Sequence, residues 1–215
     1  MRKIELLRRK IAGDTPPRGD EMTRKILEVA AELFARQGYG TTTLDQIITS
    51  CGVGRDTVYR RFSAKLDLFL AVVRYVRADV AHRFDAFSVN MADLPLDRIK
   101  ATMRWLLDVN LEPRLIAFQR IAFSEAAVTG KAIDDGSDRI TSFLLDAIRE
   151  GQEVGVLAAN DPSTICAFMI NALVLGPLTR AMLGDELVLD IRERNALFES
   201  TWAITVAGIG TRQGK

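Results

Sequence analysis

The chain has 215 residues, of which 48% are hydrophobic and 27% charged. That composition excludes wholesale disorder and allows one or two compact units with a core of ordinary size. Two cysteines, Cys51 and Cys166, cannot make a disulfide framework and fit a reducing cytoplasm. The single histidine, His82, argues against a histidine-held metal centre or a Ser-His-Asp triad. The net charge of +1 hides an asymmetry: residues 1–69 hold 13 Lys and Arg against 9 Asp and Glu, and residues 70–215 hold 16 against 19. A basic front suits a polyanionic partner, although scattered charge gives the same count.

Residues 1–19 read as a basic N-terminal extension. Ile4, Leu7 and Ile11 can line one side of a short helix beside Arg8, Arg9 and Lys10, or the segment is a basic tail. Thr15-Pro16-Pro17-Arg18-Gly19 interrupts any helix there. No apolar run of secretory type follows the basic start. From Asp20 the pattern turns strongly helical: Ile26, Val29, Ala30, Leu33 and Phe34 fall on one face, Asp20 or Thr23 can cap the start and Gly38 can close the end. Thr43-Leu44-Asp45-Gln46 has the form of a capping box, and the helix it opens carries Leu44, Ile47, Ile48 and Cys51 before Gly52 stops it. A third helix of about two turns is predicted over Arg55–Arg61, with Val58 and Phe62 inward. A long helix opens near Ala64 with a seam of Leu66, Phe69, Leu70, Val73, Val76, Val80, Phe84 and Phe87.

Five more helical patterns follow, over Leu94–Leu111, Pro113–Val128, Ile133–Glu153, Asp161–Leu183 and Asp190 to about Ile209. Pro113 and Pro162 suit first turns and Asp161 suits an N-cap. The longest nearly uncharged stretch, Ile165–Leu178, is 14 residues, short of the roughly 20 that a membrane-spanning helix needs. It reads as a buried helix kinked at Gly176-Pro177. The prediction is therefore an all-α chain.

Three short helices with a glycine-bearing turn before the third are the recipe for a helix-turn-helix. The turn Cys51-Gly52-Val53-Gly54 sets the angle at which the second helix crosses the third, through Ile47, Val53 and Val58. Arg55, Asp56, Tyr59 and Arg60 then share the remaining face, a set suited to base edges and phosphates in a major groove.

Residues 24–69 resemble the DNA-binding domain of the TetR/AcrR family of transcriptional regulators. The matching positions are Ile26, Ala30-Ala31-Glu32-Leu33-Phe34, Gly38-Tyr39, Thr42-Thr43, Ile47, Gly52-Val53, Thr57-Val58-Tyr59, Arg61-Phe62 and Lys65. The resemblance implies that Thr42 and Thr43 lie near phosphate and that Tyr59 reaches the DNA backbone. It implies Arg55, Thr57 and Arg60 at bases or adjacent phosphates, and Lys65 at a phosphate. Three positions depart from the family pattern: Gly54 and Ala64 replace capping serines, with Ser63 able to substitute for the second, and Asp56 replaces a small residue. Asp56 can accept from a cytosine amine or favour the helix dipole.

By the same resemblance the chain divides into the extension 1–19, a helix-turn-helix domain 20–66, and a helical effector-binding and dimerisation domain 67–215. The penultimate helix is apolar on nearly all sides and needs covering all round, either by a partner or by the chain's own core. Phe168 and Leu175, with Phe198, Trp202 and Thr205 of the last helix, are the candidate dimer residues. Candidates for an effector pocket are Met103, Trp105, Leu107, Phe118, Phe123, Phe143 and Met169, for which the alternative is plain core, with His82 and Asn110 as polar points, for which it is a solvated or satisfied side chain. Arg120 and Glu125 interrupt an apolar run and can bind an anion or pair structurally.

The function expected is a cytoplasmic, homodimeric regulator that binds a near-palindromic duplex operator and, as a repressor, leaves it when an apolar or amphipathic small molecule binds. No cofactor, metal, catalytic residue or membrane partner is expected. The alternatives from other classes are a helical protein-interaction module and a small helical enzyme without DNA binding.

Overall fold

The computed structural model describes residues 21–89, 91–124 and 139–210. The extension 1–19, the capping candidate Asp20, and the parts of two expected helices at residues 125–128 and 133–138, Glu125 among them, lie outside the described residues. Among the described residues ten α-helices follow one another: α1 Glu21–Gln37, α2 Leu44–Cys51, α3 Arg55–Tyr59, α4 Lys65–Ser88, α5 Pro95–Asn110, α6 Pro113–Ser124, α7 Arg139–Glu153, α8 Pro162–Ile170, α9 Gly176–Met182 and α10 Ile191–Ile209. The described residues contain no strand, only an isolated bridge between Leu157 and Gly210. The chain divides into two compact units, the first ending at Val72 and the second beginning at Val73, so the residues of α4 are shared between them.

In the first unit α1 and α2 pack together because their apolar residues recur at helical spacing. Ile26, Ala30, Phe34, Ile47, Val58, Leu68, Phe69 and Val72 all lie at or below 1% exposure. Phe34 meets Phe69 edge to face at 5.3 Å, and Tyr39 closes the cluster at 4.8 Å from Phe69. The seam of α4 differs from expectation: Leu66 is exposed, while Leu68 and Val72 are fully buried. α3 is also shorter than predicted. After Tyr59 the chain tightens, with the Arg61 and Phe62 amides both donating to the Val58 carbonyl.

The core of the second unit runs through Phe84, Met103, Leu107, Leu144, Ile148, Met169, Leu173, Leu178 and Phe198. α5 packs on α7, α7 on α8 and α9 on α6. Asp161 and Asp190 cap α8 and α10 through their carboxylates. The expected single helix Asp161–Leu183 is instead interrupted by a π-helical turn, Asn171–Leu175, just ahead of Pro177. Pro177 has no N–H for the Leu173 carbonyl and its ring crowds that carbonyl, so the widened turn accommodates it. The Gly176 amide donates to Asn171 across that turn. Pro162–Met182 is thereby 21 residues, long and apolar enough by length and composition to cross a membrane, so shortness does not exclude a span as the sequence suggested. Burial of 44% of its most apolar window marks much of it as core of this fold.

Candidate nucleic-acid interface

The site is built around the turn between α2 and α3. Gly52 adopts φ 64°, a left-handed conformation that costs a residue with a Cβ about 1–2 kcal/mol. Its N–H reaches back to the Ile48 and Thr49 carbonyls and so ends α2. Gly54 then caps α3 with no side-chain hydrogen bond. Val58 is fully buried and Phe62 nearly so, which turns Arg55, Asp56, Tyr59 and Arg60 outward as exposed residues, with Thr57 half-buried beside them. Tyr59 is 43% exposed, unusual for an aromatic ring with no need to be wet.

The start of α2 forms the other wall. Thr43 and Gln46 make the full capping box: the Gln46 amide donates to Thr43 Oγ1 at 3.2 Å and the Thr43 amide to Gln46 Oε1 at 2.9 Å. Gln37 ties this box to α1 by donating to Gln46 Oε1 and to Thr42 Oγ1. A shallow open depression lies between Thr43, Leu44, Asp45, Tyr59 and Lys65.

Besides Thr43 in its capping box, three more of the expected contact residues are already engaged inside the protein. Thr42 is fully buried and its hydroxyl donates to the Gly38 carbonyl at 2.7 Å, so its side chain braces the loop and does not face outward. Lys65 donates to the Tyr39 and Gly40 carbonyls at 2.9 and 3.3 Å and lies over the Tyr39 ring, leaving one N–H of its ammonium for another acceptor. Arg55 pairs with Asp45 at 2.8 Å. Both partners are more than half exposed, so the pair is worth about 0–1 kcal/mol and a phosphate can replace it. Asp56, Thr57, Tyr59 and Arg60 have no such side-chain partner among the described residues.

Sequence reasoning missed Arg61 as a structural residue. Its Nε donates to Thr23 Oγ1 at 3.0 Å and its Nη1 to the Thr57 carbonyl at 2.8 Å, so one guanidinium pins the end of α3 to the first turn of α1. Thr23 therefore accepts this bond and does not cap α1. The only signal in the sequence was that Arg61 falls off the outward face shared by Arg55, Tyr59 and Arg60. Ser63, expected to replace a capping serine, donates to Asp67 in the first turn of α4.

In the second unit the pocket candidates scatter. Met103, Phe118 and Met169 are buried core. Trp105 and Phe143 join Phe84 and Phe87 in a ring cluster, with Phe87 stacked on Trp105 at 5.4 Å and Phe143 edge-on to Phe84 at 5.4 Å. Asn110 is held by the Leu106 carbonyl and by Gln119. His82 and Phe123 are exposed, Phe123 at 62%, so neither is brought into that core. Arg120 binds the Met182 and Ala181 carbonyls at the end of α9, a structural cap in place of an anion site.

The dimer candidates also divide. Phe168 and Leu175 face outward, but Phe198 and Thr205 are 2% exposed and Trp202 is half-buried, 5.9 Å beneath the Lys100 ammonium. The apolar stripe of α10 that the sequence displays is the one that packs on its own chain. Outward α10 presents Ile204, 74% exposed among Ser200, Ala203 and Ala207, and Ile191 at its start, also exposed. No group of three or more metal-ligating side chains occurs among the described residues.

A glycine turn, a capped second helix and a short third helix with an exposed polar face make the first unit a helix-turn-helix. Residues 26–72 match the family described as bacterial regulatory proteins, tetR family. That match falls on the helix-turn-helix region, from α1 to the first residues of α4. The chain is 28% identical over 182 residues to the HTH-type transcriptional regulator SrpR of Pseudomonas putida, covering 82% of each chain. Its fold resembles that of a solved TetR-family regulator from Mesorhizobium loti, with TM-score 0.77 at 20% identity over 91% of this chain and 100% of the other. It also resembles FadR of Bacillus subtilis, solved with stearoyl-CoA, with TM-score 0.67 at 15% identity over 87% and 99% of the two chains.

Proposed function

We propose that this protein is a cytoplasmic, dimeric repressor that holds a near-palindromic operator through α3 and the start of α2, and leaves it when a small molecule occupies the second unit. The observation that carries the reading is the outward face Arg55, Asp56, Tyr59 and Arg60, held in place by Val58 and Phe62 beneath it. Tyr59 and the exposed Thr43 contact phosphate, Arg60 and Thr57 face the groove, and Arg55 exchanges Asp45 for a base or phosphate. Asp56 sits in the first turn of α3, where it favours the helix dipole or accepts from a cytosine amine. Lys65 contributes at most its one remaining N–H to the backbone.

Two such helices in a dimer enter successive major grooves about 34–36 Å apart. Effector binding favours a spacing that does not fit, and the population shifts away from the DNA-bound form. FadR was solved with stearoyl-CoA, which supports an amphipathic effector class for this chain. Phe168, Leu175 and Ile204 form the partner-facing surface.

The test is selection of duplexes from a random pool by the purified protein, followed by fluorescence anisotropy with selected and scrambled duplexes. We expect Arg55→Ala to cost about 1–3 kcal/mol and to relax preference at one base position per half-site. Tyr59→Phe and Arg60→Ala weaken binding in the same assay. Equal affinity of the wild-type protein for both duplexes at every salt concentration would overturn the assignment.

A further inference from the structure

We infer that Asp45 is a specificity-determining residue of the interface: its ion pair with Arg55 opens on a base step that gives the guanidinium a guanine and the carboxylate the exocyclic amine of a cytosine or adenine. This rests on the reading above, in which Arg55 leaves Asp45 on binding DNA. That exchange strands a carboxylate unless the duplex supplies it with a donor.

The two residues belong to different helices and meet at the reading face. Asp45 lies in the first turn of α2, and Arg55 is the first residue of α3. Arg55 Nη2 stands 2.8 Å from Asp45 Oδ1, and the side chains are 64% and 61% exposed. The protein does not bury the pair, so a duplex seated on α3 covers both partners at once. Residues at the start of a recognition helix are those that reach base edges. Asp45 also lines the shallow depression shared by Thr43 and Tyr59, the residues assigned to phosphate. Lys65, the cation on that rim, is already held by the Tyr39 and Gly40 carbonyls. Once Arg55 turns to the DNA, the Asp45 carboxylate is therefore left close to phosphates.

The surface of a duplex is rich in acceptors, which suit Arg55 and repel Asp45. In the major groove the donors are the N4 amine of cytosine and the N6 amine of adenine. A phosphate satisfies Arg55 and leaves an unpaired carboxylate beside like charge. A step with a guanine and such an amine satisfies both halves of the pair. The pair thus turns a contact that any duplex would accept into one that discriminates, by penalising the wrong partner as well as favouring the right one. The O6 of a guanine adjoins the amine of its own cytosine, and the next base pair stacks about 3.4 Å away. The amine therefore falls in the same or the adjoining base pair. An acid in the first turn of α2 also favours the helix dipole, but that role needs no donor from DNA and predicts no base preference.

The test is selection from a random duplex pool by the full chain and by its Arg55→Ala and Asp45→Ala variants, followed by fluorescence anisotropy. Circular dichroism confirms that helix content is kept. We expect Arg55→Ala to relax the choice of guanine at one position per half-site. Asp45→Ala relaxes instead the choice of cytosine or adenine in the same or the adjoining base pair, and the selected base shows which amine is read. The amine is then deleted from the DNA, with 2-pyrimidinone in place of cytosine or purine in place of adenine. For the wild-type chain the deletion costs at least about fivefold in affinity, and for Asp45→Ala less than about twofold. The scrambled duplex binds Asp45→Ala more tightly because a like charge is gone, so the ratio of selected to scrambled affinity falls. An Asp45→Ala protein that selects the same sequence and binds every duplex tighter by one common factor shows that the carboxylate only repels DNA, and overturns the inference. A variant that relaxes the guanine position alone overturns it too, since Asp45 then merely braces Arg55. If the variant misfolds, undiminished binding of the amine-deleted duplex by the wild-type chain has the same force. Each of these leaves the helix-turn-helix reading intact. A full chain that binds no duplex overturns both readings.

Discussion

Arg61 shows how far one side chain can matter without touching a ligand. Its fork spans α1 and α3, and no other residue type offers two planar donors in that geometry. Arg61→Ala should lower the stability of the protein by about 1–2 kcal/mol in urea titration. Arg61→Lys should restore less than half of that, because a lysine ammonium cannot keep both bonds at once. The cysteines give a second check. Both are buried, and burial pushes the Cys51 thiol above its ordinary value. A raised value means that the folded state holds its proton longer than the unfolded one. Its stabilising effect is complete below the ordinary thiol range and is lost as pH rises through the raised value. We expect both thiols to resist a thiol reagent at pH 8 in the native protein and to react at once in denaturant.

At the scale of elements, the candidate interface depends on how α2 begins and ends. Thr43→Ala removes the capping box and should cost about 1 kcal/mol, while Gly52→Ala meets the left-handed turn and should cost about 1–2 kcal/mol. Both changes lower the thermal midpoint, and Gly52→Ala should also weaken DNA binding, since it re-aims α3. A Gly52→Ala protein with unaltered midpoint would mean that the turn tolerates a Cβ. In the second unit the π turn at Asn171–Leu175 follows from Pro177. The sequence located the disturbance at Gly176-Pro177 but not its form. A kink and a widened turn both relieve the proline, and the choice between them rests on the Gly176 amide reaching Asn171.

At the scale of the whole molecule the covering of α8, α9 and α10 decides the assembly. Phe168→Asp and Ile204→Asp change exposed residues and should reduce the mass seen by light scattering toward that of one chain, with helix content kept. Trp202→Asp acts differently. Trp202 packs on its own core near Lys100, so its loss should destabilise the fold by several kcal/mol before it affects assembly. A stable monomeric Trp202→Asp protein would place that ring at the partner after all.

The amino-acid sequence by itself determined that the chain is helical, where most helices start, and that residues 24–69 form a helix-turn-helix of a known family. Those features rest on local physics. Apolar spacing of three and four, the Thr43–Gln46 box, the Asp161 cap and the Gly52 turn act within a few residues of chain and can be read along it. Tertiary structure decided what each polar group holds. Thr42 turns inward because Gly38 and Gln37 offer it partners, Lys65 crosses 25 residues of chain to a loop carbonyl, and Arg61 reaches back 38 residues to Thr23. It also decided which stripe of α10 is core. Phe198, Trp202 and Thr205 recur at helical spacing, and spacing shows that they share a face but not whether that face meets its own chain or another. A donor or an apolar side chain takes whatever surface the fold brings to it, and that depends on residues far away in the sequence.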